Sequence, residues 1–213
     1  QWTAHQGAEF SVSAIEKFEK SPGVMARLKE IAEKGFSPTA LSLYIRDPKA
    51  FYLERVLKLS PKRPLQDSVG PDIVGTVVHE SIKALYSDFV GHDLTTDGLN
   101  HIKADVPEAV QKEFAKAYNT SSLNRGKNLI IVAVVQRYIE KLIDWDLDAL
   151  ANGHRITLLE SETDHLMTLD TNKPFPIVLK GQVDRVDRCD DTIRIIDFKT
   201  GMVKPTSVAI SDW

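Results

Sequence analysis

Two acidic residues and a lysine near the end of the chain form the pattern with the clearest chemical content. Asp184 lies in one β-rich run, and Asp197 and Lys199 lie at the end of the next. If Asp190 and Asp191 form a two-residue hairpin turn, opposing positions sum to 381 (190 + 191), and Asp184 faces Asp197. Lys199 shares that face because side chains alternate along a strand. Facing carboxylates repel each other, so a cation is expected beside them.

Metal binding and a plain strand ending are both compatible with this spacing. Hard divalent cations prefer carboxylate oxygens, water and phosphate, so an Asp pair beside a lysine suits a metal ion and an anionic substrate. In the second interpretation, Asp184 and Arg185 make surface ion pairs and residues 197–201 only end a strand. In either case the register predicts three further pairs: Val183 with Phe198, Val186 with Ile195, and Asp187 with Arg194.

The elements that must position this hairpin are mostly helices. Apolar spacing predicts two short helices within residues 12–34, one over 37–46, one near 51–57, and longer ones over 75–90, 106–118 and 126–150. The last helix is apolar nearly all round its first half, which predicts that this half is buried. Loops are predicted over 60–72 and 91–99, and strands over 156–169, 177–188 and 192–198.

Composition places the chain among ordinary globular proteins. Its 213 residues are 42% hydrophobic and 27% charged, enough for one large domain or one domain with a helical appendage. The longest apolar run, residues 129–135, is too short to span a membrane, and no signal-like segment is present, so no membrane association is predicted. The net charge of −3 gives no overall basic field. The single cysteine, Cys189, excludes an intramolecular disulfide and a multi-cysteine zinc or iron–sulfur site, and it favours a reducing, cytoplasmic location.

Four segments of the chain, in order, resemble one known family. Residues 181–185 and 195–201 resemble the GxxDR and DxKTG signature of PD-(D/E)XK nucleases, in the RecB and AddB branch. Residues 75–79 resemble the family's GxxxH segment, and residues 37–52 resemble its S-x-[ST]-x-L and P-x-x-F opening. The resemblance implies an α/β fold: a restriction-endonuclease-like core with a mainly antiparallel mixed sheet flanked by helices, plus a helical N-terminal part.

The resemblance also implies a set of site residues. His79, Asp184 and Asp197 would bind the metal, with the backbone carbonyl of Phe198 as a further ligand, and Lys199 would orient or activate water. The expected metal is Mg²⁺, for which Mn²⁺ can substitute. A histidine beside an apolar helical stripe is more often structural, but the spacing from the motif glycine favours a ligand role for His79.

An acidic residue is also expected on the first strand, and DNA contacts on the early helices. Glu160 and Glu162 share one face of that strand, and Glu162 is favoured, although both could be solvated. Four residues could contact DNA by stacking and phosphate pairing, although packing or surface roles are equally common for such residues: Tyr44, Arg46, Tyr52 and Arg55.

The implied function is metal-dependent hydrolysis of DNA phosphodiester bonds, by an exonuclease or endonuclease within a helicase–nuclease of DNA repair and recombination. DNA and a helicase domain or subunit are the expected partners. The alternative is a catalytically silent, nuclease-like DNA-binding or scaffold module. An RNA-binding domain is a third possibility, but the sequence contains no recognisable RNA-binding module.

The chain departs from the family at two places. Asp47 stands where many AddB-type domains carry an iron–sulfur cysteine. The family's Q-x-x-x-Y motif is expected downstream, yet only 14 residues follow Lys199 and none is Gln or Tyr. The predicted organisation is therefore an N-terminal helical segment, residues 1–36, linking from a longer polypeptide, and a C-terminally incomplete nuclease domain, residues 37–213.

Overall fold

The computed structural model describes residues 20–59, 69–118, 126–170 and 175–201. Six α-helices lie within these ranges: α1 Pro22–Lys34, α2 Pro38–Arg46, α3 Pro48–Phe51, α4 Pro71–Tyr86, α5 Thr96–Ala117 and α6 Lys127–Ala151. A π-helical turn, Tyr52–Val56, follows α3, and a 3₁₀ turn, Ser87–Phe89, follows α4. The strands are β1 Ile156–Leu169, β2 Ile177–Cys189 and β3 Thr192–Ile196. The part of the predicted N-terminal helix pair before residue 20 lies outside the described residues.

The three strands form an antiparallel sheet in the order β1-β2-β3. The β2–β3 ladder runs from Arg185 opposite Ile196 to Cys189 opposite Thr192, around the turn at residues 190–191. The predicted register is therefore confirmed along this ladder, including the Val186–Ile195 and Asp187–Arg194 pairs. With helices flanking the sheet, the structure has the predicted restriction-endonuclease-like α/β fold.

The chain divides into two compact units. Of the described residues, the first unit comprises 20–59, 168–170 and 175–179, and the second comprises 69–118, 126–167 and 180–201. In the first unit, α1 to α3 and the π-helical turn surround a small core of Ala40, Phe51 and Val56. The N–H of Phe36 donates to the carbonyl of Val178, which joins the early helices to the start of β2. The boundary predicted between residues 36 and 37 stays a prediction.

The second unit has the larger core, and that core holds α4 against the sheet. Apolar side chains from three helices and the start of β1 are fully buried there: Val77, Leu99, Val106, Val110, Phe114, Val135, Ile139, Ile143, Ile156 and Leu158. Burial of a side chain of this size stabilises the folded state by about 1.5–3 kcal/mol. Because the apolar face of α4 is held in this core, the polar side chains on the other face of the helix have a fixed direction.

Helix α4 begins earlier than its apolar stripe predicts. It starts at Pro71 rather than Gly75, with Gly70 at the N-cap position. Proline suits the first position of a helix because the missing N–H has no partner there and the ring fixes a helical φ. The loop predicted up to residue 72 was therefore too long.

Helix α5 also begins earlier than predicted, within a stretch assigned to a loop. It starts at Thr96, and the hydroxyl of Thr95 accepts a hydrogen bond of 3.2 Å from the N–H of Gly98. A Cβ atom on Gly98 would lie 2.7 Å from the Phe89 ring. Glycine at this position admits the aromatic ring, and it does not break the helix.

The predicted burial of the first half of α6 is wrong. Leu129, Ile130 and Val134 are exposed, whereas Val135 and Ile139 are fully buried. The helix therefore buries one face only, although apolar residues cover most of its first turns. None of the helices seen in the described ranges combines the length and apolarity needed to cross a membrane.

Candidate metal centre

Helix α4 supplies the histidine of the candidate centre. Val78 and Ile82 of α4 are buried in the core, and His79 between them turns its ring toward the sheet. Its Nδ1 lies 2.8 Å from Oε1 of Glu162 and 3.6 Å from Oδ1 of Asp184. The structure therefore brings together three of the residues singled out from the sequence.

Glu162 is the acidic residue of β1 that reaches this histidine. It is only 5% exposed, and its backbone has a φ of 50°, in the left-handed region that side-chain-bearing residues rarely adopt. Its second oxygen, Oε2, accepts a 3.1 Å hydrogen bond from Nε2 of Gln182. Glu160 instead pairs with exposed His165. Of the two candidate acids, the structure places Glu162 in the cluster.

Gln182 is a site residue that the sequence reasoning missed. It holds the carboxylate of Glu162 and lies two positions before Asp184 on β2. Because side chains alternate along a strand, an amide at this spacing shares a face with the aspartate. That period-two relationship is the signal that could have identified it.

The two oxygens of Asp184 have different partners. Oδ1 faces His79, whereas Oδ2 accepts a 2.6 Å hydrogen bond from the backbone N–H of Phe198. This side-chain bond takes the N–H that a longer β3 would use in its ladder, and β3 ends at Ile196. Phe198 was predicted as a ladder partner of Val183, and the described ladder stops before that pair.

The centre has more negative than positive charge. Two carboxylates lie around one imidazole, and ligand atoms from all three residues lie within 4.8 Å of one another. The hydrogen bond to Glu162 raises the pKa of His79 above its ordinary value; burial opposes this shift, and the charges of Glu162 and Asp184 add to it. One nitrogen and two carboxylate ligands fit a divalent cation, so these residues suit the metal expected from the sequence.

Asp197 and Lys199 lie outside this three-residue cluster. They form an ion pair with each other, and their side chains are 62% and 59% exposed. Both belong to the segment that follows β3, which the Phe198 N–H attaches to Asp184. The Phe198 ring centroid lies 6.2 Å from that of His79. The structure therefore places this segment beside the cluster without bringing the Asp197 carboxylate into it.

The four residues considered for DNA contact belong to the first unit. The ring of Tyr44 meets Phe51 edge-on with 5.4 Å between centroids, and Tyr52 packs against the small core. These two aromatic residues thus have packing roles within their own unit. Contact of DNA with Tyr44, Tyr52, Arg46 and Arg55 stays a prediction.

A buried ionic network lies beside the cluster, centred on Arg185. Its guanidinium donates to both oxygens of Asp146, at 2.7 and 3.0 Å, and to Asp187 at 2.7 Å. Arg194 also donates to Asp187, and the hydroxyl of Tyr86 donates to Asp146. Arg185 is 2% exposed, so the interpretation of Arg185 as a surface residue is wrong. Its partner Asp146 was not foreseen, since nothing in the sequence marks it.

One known protein family matches most of this chain. Residues 35–212 match the family model of the PD-(D/E)XK nuclease superfamily. The matched range contains the cluster and the 197–201 segment. Proteins of this superfamily are generally nucleases and typically use divalent metal ions. With most of its length matched and its fold in agreement, this chain belongs to the PD-(D/E)XK nuclease superfamily.

Proposed function

We propose that this chain hydrolyses DNA phosphodiester bonds with a bound divalent cation, as a nuclease domain of the RecB and AddB type. One observation carries the proposal: His79, Glu162 and Asp184 gather ligand atoms within 4.8 Å in a member of a nuclease superfamily. The excess of carboxylates over cations in this cluster favours a cation as its natural partner.

His79, Glu162 and Asp184 would hold the metal, and Gln182 would orient Glu162. When bound, a divalent cation such as Mg²⁺ lowers the pKa of coordinated water and offsets charge on the scissile phosphate. In the free protein, the raised pKa of His79 favours a proton on the imidazole beside the two carboxylates. Metal binding would displace that proton, because an imidazolium nitrogen has no free lone pair.

Lys199 and Asp197 have roles that depend on the segment following β3. The ammonium of Lys199 would leave its exposed partner Asp197 and orient the attacking water or the scissile phosphate. Asp197, released from that pair, would add a carboxylate to the metal site, and the carbonyl of Phe198 would add a further oxygen. These three roles rest on the sequence resemblance and on the attachment of this segment to Asp184.

The wider context belongs to the same proposal. The RecB and AddB resemblance supports DNA as substrate, a helicase domain or subunit as partner, and work in DNA repair and recombination. Mg²⁺ is the proposed ion, with Mn²⁺ as substitute. A cytoplasmic location is part of the proposal, and its only support is the single cysteine, which is typical of proteins from reducing compartments.

The decisive experiment separates metal binding from cleavage. The protein is incubated with labelled single-stranded and double-stranded DNA in Mg²⁺, Mn²⁺ or chelator, and Mn²⁺ binding is measured in parallel by calorimetry. Asp184→Asn should lose both cleavage and Mn²⁺ binding, because it removes a charged ligand. Asp164→Asn, which changes an exposed carboxylate of β1, is the matched control and should behave as wild type.

The outcomes distinguish the site from the reaction. Unchanged Mn²⁺ affinity in Asp184→Asn would overturn the metal centre. Normal Mn²⁺ binding with no cleavage of either DNA form would leave the centre in place and overturn the nuclease function of this chain.

A catalytically silent DNA-binding or scaffold module is the second candidate, and one observation favours it. Asp197 and Lys199 are paired with each other at the surface, outside the cluster that would hold the metal. A protein whose lysine never reaches the metal centre could bind a cation and DNA without cleaving. Single-turnover cleavage by wild type and Lys199→Ala separates the two candidates.

A further inference from the structure

A second group of metal-ligating side chains lies at the other end of the β2–β3 hairpin. His154, Cys189 and Asp190 place one ligand atom each within 4.8 Å of one another. Cys189 is the last residue of β2, Asp190 begins the turn, and His154 lies in the loop between α6 and β1. None of them takes part in the proposed nuclease chemistry.

Backbone hydrogen bonds hold the two chain segments of this group together. The N–H of Asp190 donates to the carbonyl of Arg155 at 2.8 Å, and the N–H of Arg155 donates to Oδ1 of Asp190 at 2.9 Å. Oδ2 of Asp190 lies 2.8 Å from Nδ1 of His154. The N–H of His154 donates to Ala149 at the end of α6. The three side chains therefore start from a fixed backbone.

The group is open to solvent, and two of its neighbouring arginines pair with carboxylates outside the group. The side chains of His154 and Asp190 are 52% and 49% exposed, while Cys189 is partly buried against the core. A polar hollow of about 440 Å³ lies alongside, lined by Asp190 among others. The guanidinium of Arg155 pairs with Asp93, and that of Arg194 pairs with Asp187. An ion can thus enter without displacing either pair.

We propose that His154, Cys189 and Asp190 form a second metal site, selective for Zn²⁺ over Mg²⁺. A thiolate, an imidazole and a carboxylate are typical zinc ligands, whereas Mg²⁺ prefers oxygen alone. Tetrahedral zinc requires ligand atoms about 3.3–3.6 Å apart, which small side-chain rotations can produce from the observed cluster. Water from the adjacent hollow would occupy the fourth position.

Zinc at this site would tie the loop after α6 to the β2–β3 turn. A ligand that binds only the folded state stabilises that state by an amount that grows with the logarithm of one plus the ratio of its concentration to its dissociation constant. The site is independent of the proposed nuclease function, because its ligands and its metal differ from those of the first centre.

The single thiol of the chain gives a readout specific to this site. The reduced 213-residue protein is treated with a thiol reagent in the presence of Zn²⁺, Mg²⁺ or chelator, and the rate at which Cys189 is modified is measured. We expect Zn²⁺ to slow the reaction by at least about tenfold, since a coordinated thiolate is a poorer nucleophile, and we expect Mg²⁺ to have no effect. Binding of Co²⁺ should give a thiolate-to-cobalt charge-transfer band that Cys189→Ser removes.

Two variants make the result specific. His154→Gln should abolish the Zn²⁺ protection of Cys189. His165→Gln should keep it, because the His165 side chain is equally exposed, at 52%, and pairs with Glu160 elsewhere on the sheet. Equal modification rates with and without Zn²⁺, or full protection persisting in His154→Gln, would overturn the proposal.

Discussion

Asp184 and Arg185 are neighbours on β2, yet the charges around them are balanced differently. The buried network around Arg185 contains two guanidiniums and two carboxylates, so its charges cancel. The cluster around Asp184 contains two carboxylates and one imidazole. Because successive side chains of a strand point to opposite faces, one step along the chain separates the two environments.

This difference in charge balance distinguishes the structural network around Arg185 from the candidate functional cluster around Asp184. Buried groups of opposite charge that pair with one another require no further ligand. Their mutual attraction offsets the cost of removing them from water. Carboxylates that outnumber their cations remain dependent on a proton or a metal ion. The sign of the local charge imbalance, more than the presence of acidic residues, marks the candidate metal centre here.

The largest expected effect on stability comes from breaking the balanced network. Arg185→Leu leaves Asp146 buried without a cation and should lower the free energy of unfolding by about 3–5 kcal/mol. Urea denaturation measures this. Arg137→Leu, which removes an exposed pair with Glu140, is the control and should cost less than about 1 kcal/mol. Similar losses for the two variants would contradict the structural role of Arg185.

The next effect is on cleavage and concerns Lys199. Lys199→Ala should lower the single-turnover cleavage rate by about 10²–10³-fold, because a cation that stabilises developing charge is lost. Mn²⁺ affinity should hardly change, since an ammonium cannot ligate a metal. Lys199→Arg should stay poorly active if a compact ammonium is required. Equal rates for wild type and Lys199→Ala would exclude a role for this lysine in the reaction.

A smaller effect is expected from the residue that orients Glu162. Gln182→Leu removes the hydrogen bond to Oε2 and should weaken Mn²⁺ binding about tenfold, as for other groups that hold a metal ligand in place. Calorimetric titration gives the affinity. The exposed Gln111→Leu of α5 is the matched control. Unchanged affinity in Gln182→Leu would show that Glu162 keeps its position without this amide.

The smallest effect is the pH dependence of the metal-free protein. The pKa of His79 is raised above 6.5 in the folded state, so folding favours the protonated form. The stability from this shift is fully present below the unfolded pKa and is lost as pH rises through the folded pKa. In chelator, wild type should therefore lose stability relative to Glu162→Gln as the pH rises through the range above 6.5. Parallel denaturation midpoints across that range would count against the His79–Glu162 pairing.

The strands and their register could be predicted because they depend on local rules. Alternating residues and a two-residue turn determine which residues of β2 and β3 oppose each other, and the ladder from Arg185 to Cys189 follows. His79, Asp184 and Glu162 were all singled out before the fold was known. Their proximity depends on short motifs whose geometry is repeated within a superfamily.

The features that could not be predicted depend on tertiary packing that no local sequence pattern marks. Asp146 meets Arg185 from a helix 39 residues away, and no local pattern marks that partner. Glycine inside a helix is usually unfavourable, and only the structure shows that Gly98 makes room for the Phe89 ring. Leu129 and Ile130 were assigned to the core because hydrophobicity alone does not report which face of a helix is covered. The surface position of Asp197 likewise follows from a strand that ends at Ile196.

The two oxygens of the Asp184 carboxylate have different partners, and this difference affects which residues of a related protein indicate enzymatic activity. One oxygen attaches the segment after β3, a task that a descendant without enzymatic activity would still need. The other oxygen faces His79, which pairs with Glu162, and within the described residues neither His79 nor Glu162 forms a hydrogen bond to that segment. If the proposed activity were lost in evolution, the aspartate would persist after the histidine and glutamate had been replaced. An intact His–Glu pair is therefore better evidence of a working enzyme than the aspartate of the signature motif.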